Sequence, residues 1–302
     1  METNILLENG TNELEVLEFT IGDNHYGINV AKVREIIGYQ EVTPVPNSHP
    51  SIEGIFMPRD KIITVINLAK QLNLTMTGTK QTDMMIITNF NKLDVAFHVQ
   101  AVVGISRVSW ADISTPDATL NTDATSVATG IIRLNNRLVI ILDFEKIVTD
   151  ISPETGLRVS DIKMLGDRQR CDEPILMAED SPLLSTLISD SLKKAGYTNL
   201  IRTNNGAEAW KILEDFKKEG TVREKVRCII TDIEMPIMDG HRLTKLVKTD
   251  DVMKDIPLVI FSSLVNDEMR AKGRALGADD QLSKPEIGNL VQVIDRLLQK
   301  ND

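Results

Sequence analysis

The chain has 302 residues, 42% of them hydrophobic, enough for about two domains with ordinary cores. Aromatic residues make up only 4% and the formal charge is −10, so neither a base-stacking nucleic-acid surface nor a polybasic membrane anchor is expected. The only cysteines are Cys171 and Cys228, and no apolar run nears the ~20 residues of a membrane span, which favours a reducing, cytoplasmic setting without direct membrane insertion. Met1 to Gly10 carries Glu2 and Glu8 and does not read as a secretion signal.

Charge divides the chain unevenly. Residues 1–150 hold 11 Lys+Arg and 18 Asp+Glu, residues 151–172 hold 4 of each, and residues 173–302 hold 19 and 22. The neutral middle stretch contains Pro153, Gly156 and Gly166 and reads as a linker, with a short helix expected near Val159 to Leu165. Domains are therefore expected at 14–150 and 173–302.

The first domain reads as mostly β. Glu15 to Ile21 alternates, Gly22-Asp23-Asn24 turns, and His25 to Ile28 returns as a partner strand. Asn29 to Ile37 has an N-cap candidate and apolar residues at Val30, Val33 and Ile37, which predicts a short helix. Pro44 and Pro46 stop any long helix. Lys61 to Ile66 reads as a strand, Met84 to Thr88 and Leu93 to Val99 as a hairpin about residues 89–92, and Ile131 to Leu134 and Arg137 to Leu142 as a hairpin about Asn135-Asn136. Many short strands with turn signals predict small barrels.

The second domain alternates differently. Strands are predicted at Ile175 to Ala178, Leu200 to Thr203, Cys228 to Thr231, Leu258 to Phe261 and Asp280 to Leu282. Helices are predicted at Pro182 to Lys194, Ala207 to Lys218, Gly240 to Lys248, Glu268 to Leu276 and Glu286 to Leu298. This alternation predicts a doubly wound, five-stranded parallel sheet with helices on both faces.

Ligands of such sheets bind beyond the carboxyl ends of the strands. Glu179 and Asp180 follow the first strand, Asp232 the third, Ser262 and Ser263 the fourth, and Lys284 the fifth. Three carboxylates against one ammonium repel unless a cation joins them, and few ligands in an open cleft suit Mg²⁺. A metal, an ammonium and a hydroxyl together are equipment for phosphoryl transfer, with Asp232, on the central strand, as the nucleophile. An acid pair often caps a helix, but Ser181 and Pro182 already supply a start here. The four histidines lack metal-ligand spacing, and His241 is expected at the surface of a helix start.

The acid pair, the segment Asp232-Ile233-Glu234-Met235-Pro236-Ile237-Met238-Asp239-Gly240, Ser262-Ser263 and Lys284-Pro285 resemble a response-regulator receiver domain, of the flavodoxin-like fold, over about Glu173 to Asp302. The resemblance implies that Asp232 is the phosphoacceptor and that Asp180 and Asp232 bind Mg²⁺ directly. Glu179 would act through water and the Glu234 backbone carbonyl would be a further ligand. Ser262, Ser263 and Lys284 would hold the phosphoryl group, and a cis peptide would precede Pro285. Where the family has a switch aromatic, this chain has Gln281.

The first domain resembles the CheW-like coupling domain through Val33 to Tyr39, Pro44-Val45-Pro46, Gly54 to Asp60, Ile62 to Leu68 and the late hairpin at Gly130 to Leu142. The implied fold is two five-stranded SH3-like barrels. The family arginine survives as Arg59, whereas its following glycine is replaced by Asp60. Together the two domains resemble a CheV-type chemotaxis protein. That resemblance implies partners in chemoreceptors and a CheA-type histidine kinase, with Val33, Glu35 and Arg59 as contact candidates and recruitment to receptor arrays. A phosphorylation-controlled adaptor in adaptation, without turnover beyond slow autodephosphorylation, and a simple phosphate sink are both compatible with these residues. A haloacid-dehalogenase-like phosphatase fits less well, because Asp232-x-Glu234 follows the third strand and lacks the second aspartate.

Overall fold

The computed structural model describes residues 12–77, 79–90, 93–114, 127–153 and 168–299. The chain divides into two compact units, Leu14–Thr155 and Gly156–Asp302 together with Met1–Glu13.

In the first, β1 (Glu13–Ile21), β2 (Asn24–Asn29), β8 (Ala101–Ser109), β9 (Ala128–Leu134) and β10 (Arg137–Leu142) form a sheet in the order β8-β1-β2-β10-β9. A second sheet, β3-β6-β7-β5-β4, is built from β3 (Val33–Gly38), β4 (Ile52–Phe56), β5 (Ile63–Asn67), β6 (Met84–Phe90) and β7 (Leu93–Val99). Each sheet closes on itself by one bridge. The chain leaving β3 pairs Thr43 with Ile55 of β4, and the chain leaving β8 pairs Ser114 with Ile131 of β9. These are the two small barrels, and closure removes the exposed edges that a five-stranded sheet would otherwise offer. Helices α1 (Leu68–Gln71) and α2 (Phe144–Ile151) complete the unit. Phe19 of β1, Phe97 of β7 and Phe144 of α2 are fully buried in one core packed between the two sheets, with Phe97 and Phe144 edge to face at 4.6 Å, while each sheet keeps a separate cluster of its own, about Val16 and Val139 and about Val65 and Met85.

Three local expectations change. Asn29 caps only one 3-10 turn, Val30–Lys32, after which Val33–Gly38 is strand β3 and not helix. Its β-branched residues pair with β6, Ile36 opposite Ile86 and Ile37 opposite Met85, so tertiary pairing overrides a spacing that also suited a helix. Strands β4 and β8 carried no clear alternation and were not anticipated. The hairpin after β6 is tighter than predicted, because the ladder continues through Asn89 opposite Asp94 and Phe90 opposite Leu93. Asn135 and Asn136 sit at φ 48° and 64°, the left-handed pair of a type I′ turn. The helix expected near Val159 to Leu165 lies outside the described residues.

The second unit is a parallel sheet, β12-β11-β13-β14-β15, made of β11 (Ile175–Ala178), β12 (Leu200–Thr203), β13 (Cys228–Thr231), β14 (Leu258–Ser262) and β15 (Asp280–Ser283). Between and after the strands run α3 (Pro182–Lys194), α4 (Gly206–Lys218), a single-turn α5 (Val222–Lys225) that was not anticipated, α6 (Gly240–Thr249), α7 (Asp267–Ala275) and α8 (Ile287–Gln299). Residues of α3 and α8, among them Ile188, Leu290 and Ile294, pack on Ile175, Ile230 and Val259 of the sheet. Strand order reverses between β11 and β13, and the acidic residues lie at that switch point. Two expectations are corrected here. His241 is buried, not exposed, because the first residue of α4, Gly206, abuts Met238 and Asp239 beside it. No described peptide is cis, so the bond before Pro285 takes the ordinary trans form.

A buried polar cluster crosses the second barrel. His98 on β7 is fully buried, with Nδ1 2.7 Å from Glu53 of β4 and Nε2 3.0 Å from Asp83. Tyr39 donates to Glu53 at 3.0 Å, and Lys80 pairs with the same carboxylate. Burial would raise the Glu53 carboxyl, but hydrogen bonds from His98 and Lys80 pull it down to about 2. Glu53 therefore contributes stability that is complete above its ordinary value of 4.5 and is lost as pH falls toward 2. His98→Leu, which removes the ring nitrogens that face two buried carboxylates, should lower this unit's stability by roughly 3 kcal/mol. Calorimetry of the full chain checks it; an unchanged transition would deny the cluster a structural role.

Candidate functional site

The carboxyl ends of four strands deliver the polar residues. Burial of β11, β13 and β14 on both sides makes each strand a continuous run of apolar or small residues, so the first charged group falls where the strand ends. Asp232 is held tightly at its backbone. Its N–H donates to the Ala178 carbonyl at 3.0 Å, and its own carbonyl accepts from the Thr231 hydroxyl at 2.8 Å. A Cβ at Gly240 would overlap that carbonyl oxygen, so only glycine lets α6 start against the strand end.

The side chains converge. The Lys284 ammonium donates to Asp232 Oδ2 at 2.6 Å and lies 3.1 and 3.2 Å from the two Glu179 oxygens. Asp232 Oδ1 accepts from the Ile233 N–H at 2.6 Å. Glu179, Asp180 and Asp232 each offer an oxygen within 4.8 Å of the others. Glu179, Asp232 and Lys284 are almost wholly buried and Asp180 is half-buried, which leaves one open side. Ser262 and Ser263 are buried at the end of β14, and the Lys284 N–H donates to the Ser262 carbonyl at 3.2 Å, tying the ends of β14 and β15 together. Glu234 lies half-buried in the loop two residues past Asp232.

Electrostatics follow from this packing. Burial pushes the Glu179 carboxyl up to about 8; Lys284 pulls against that rise and the Asp232 charge adds to it. Three hard oxygen donors sharing one ammonium fit a divalent ion of the Mg²⁺ kind. Asp239 caps α6 by accepting from the Arg242 N–H at 2.6 Å, and burial raises its carboxyl to about 6.

Gln281 is buried, with neither side-chain amide atom hydrogen-bonded, and its carbonyl end lies so close under Gly273 of α7 that a Cβ there would collide with it. Thr231 was not singled out from the sequence; a threonine ending a buried strand carries no distinguishing signal.

The other candidates lie in the first unit. Arg59 and Glu35 meet in an ion pair at 2.9 Å, and Arg59 is 80% exposed. Arg59 and Asp60 both adopt left-handed backbone, φ 50° and 66°, at the turn where glycine was expected. Met57 and Ile62, each more than 60% exposed, flank that turn. Val33 instead packs against the shared core.

A family model of the CheW-like domain matches residues 15–152, and one of the response regulator receiver domain matches residues 175–295. Over both domains the chain is similar to chemotaxis protein CheV3 of Helicobacter pylori, at 30% identity covering 96% of each chain. It is also similar to CheV2 of the same organism, at 29% identity covering 90% of each. Its first half is similar to chemotaxis protein CheW of Thermotoga maritima, 29% identical over 50% of this chain and 98% of that one.

Millimolar Mg²⁺ should raise the unfolding temperature of the second unit at pH 7, and Asp180→Asn should remove most of the rise; ligand at 100 times its Kd adds ~2.7 kcal/mol. Calorimetry with Mg²⁺ and with a chelator reads the difference, and an equal rise in the variant would exclude Asp180 from the ion site.

Proposed function

The chain belongs to the CheV family of chemotaxis proteins, a CheW-like domain joined to a receiver, and on that footing we propose that it is a coupling adaptor switched by phosphorylation of Asp232. In this reading the CheW-like domain docks on chemoreceptors and on a CheA-type histidine kinase, which places the protein at cytoplasmic receptor arrays. The receiver takes its phosphoryl group from that kinase, and its state adjusts coupling during adaptation. The protein is a phosphoacceptor and not a turnover enzyme. No helix among the described residues is long and apolar enough to cross a membrane.

The supporting observation is the Lys284 ammonium seated between Asp232 and Glu179 at a half-open acidic cleft. An Asp232 oxygen attacks the phosphorus of a phosphohistidine, the P–N bond breaks, and the departing imidazole takes a proton. The product is an acyl phosphate. Each Asp232 oxygen carries one hydrogen bond, so the carboxylate is oriented before the donor arrives. Lys284 then follows the charge onto the phosphoryl oxygens, joined by the Ser262 hydroxyl and the Ser263 N–H. Asp180 and Asp232 directly, Glu179 through water and the Glu234 carbonyl would hold Mg²⁺, which supplies further neutralisation of the transferring oxygens.

Phosphorylation can shift coupling only by the difference in interaction energy between the two receiver states. The exposed Arg59–Glu35 pair between Met57 and Ile62 supports this turn as the docking surface. Val33 would act there by holding β3 in place.

Incubation with phosphorylated kinase and Mg²⁺ should label the wild type and leave Asp232→Asn unlabelled. Lys284→Met should slow labelling by ~100-fold or more. Equal labelling of the Asp232 variant would end this reading. Arg59→Glu should weaken capture by receptor tails and kinase while leaving Asp232 labelling intact; unchanged capture would move the docking surface elsewhere.

A further inference from the structure

The loop that follows Asp232 rests against the start of α4, a helix that supplies none of the site residues. The Gly206 N–H, one of the donors a helix start leaves without an intrahelical partner, donates to the Met238 carbonyl at 3.1 Å. A Cβ on Gly206 would stand 2.7 Å from that carbonyl oxygen, 3.1 Å from Met238 Cγ and 3.3 Å from the Asp239 carbonyl oxygen. The Asp239 carbonyl is fixed in turn, because it accepts the Leu243 N–H of α6 at 3.1 Å. The approach of helix to loop therefore leaves no room for a side chain at position 206.

The helix side of this contact is firmly built. Buried Asn205 caps α4 by accepting the Glu208 N–H at 2.9 Å, and the Glu208 carboxylate reaches back to accept the Asn204 N–H at 2.9 Å. The loop side is strained. The Met238 N–H donates to the Pro236 carbonyl at 2.7 Å across Ile237, whose φ of 69° is that of the rare, strained form of γ-turn. Such a backbone persists only where its surroundings over-determine it. The loop is also closed on the site itself. The Gly240 N–H donates to the Ile233 carbonyl at 2.9 Å, and the Ile233 N–H donates to Asp232 Oδ1 at 2.6 Å.

Resting on the reading of Asp232 as phosphoacceptor, we propose that Gly206 is a positioning residue for the phosphoacceptor loop. Its N–H and its missing side chain let α4 hold residues 233–239 in the strained form. A shift of Met238 passes through the closed loop to the Ile233 N–H that orients the Asp232 carboxylate, and to the Glu234 carbonyl. Coupling of this kind is reciprocal: if the contact favours Mg²⁺, then Mg²⁺ favours the contact.

Gly206→Ala separates this role from a merely structural one. Alanine suits a helix better than glycine, so a glycine that served α4 alone would leave Mg²⁺ binding unchanged on substitution. In the full-length chain the variant should bind Mg²⁺ about tenfold more weakly in titration calorimetry, and acetyl phosphate should label Asp232 more slowly. Its unfolding in chelator should stay cooperative. A second measurement needs no substitution: saturating Mg²⁺ should slow hydrogen exchange of the Gly206 N–H in the wild type. Wild-type Mg²⁺ affinity in the variant, or Gly206 exchange indifferent to Mg²⁺, overturns the positioning role and leaves Asp232 as phosphoacceptor. A wild type that is not labelled at Asp232 overturns the phosphoacceptor reading and the positioning role with it.

Discussion

The receiver is organised around one ammonium group facing too many carboxylates. Lys284 neutralises part of the charge that β11 and β13 bring to the switch point, and it does so from the end of β15, on the far side of β14. Its N–H, bonded to the Ser262 carbonyl, fixes where that ammonium can stand. Because Glu179, Asp232 and Lys284 are buried, their Coulomb interactions are weakly screened, and burial pushes the Glu179 carboxyl up while Lys284 pulls against the rise.

The CheW-like unit handles buried charge in the opposite way. Around His98, donors and acceptors nearly match: two carboxylates, an imidazole that meets both, a tyrosine hydroxyl and a lysine. This network holds strands β4 and β7 and the approach to β6 in one arrangement. With both barrels closed by single bridges and three phenylalanines shared between them, the unit suits a rigid docking platform. At the turn between β4 and β5 two non-glycine residues hold left-handed conformations and two large apolar side chains stay in solvent.

Legibility differed between the two halves for a physical reason. In the receiver, strands buried on both faces leave apolar runs bounded by polar residues, and helices such as Pro182–Lys194 announce themselves by caps. Strand ends, and with them Glu179, Asp180, Asp232, Ser262 and Lys284, could be located to within one residue, β14 and β15 each running one residue further than expected. In the barrels, short strands with one face buried and frequent bends dilute the alternation. Val33–Gly38 therefore looked helical, and β4 and β8 did not stand out. His241 was misplaced because burial of a helix start is decided by the neighbouring helix, not by the helix itself.

The amino-acid order alone determined the two-domain division into β and α/β parts, the parallel sheet, and the identity of the acidic and basic residues at its switch edge, because those follow from local periodicity and from where apolar runs stop. Only the tertiary structure decided that Lys284 stands within hydrogen-bonding reach of two of the acids, that Glu35 meets Arg59, and that His98 bridges Glu53 and Asp83. Each of these joins residues far apart in the chain, and the free energy of such a contact depends on burial and distance, which no local window of sequence contains.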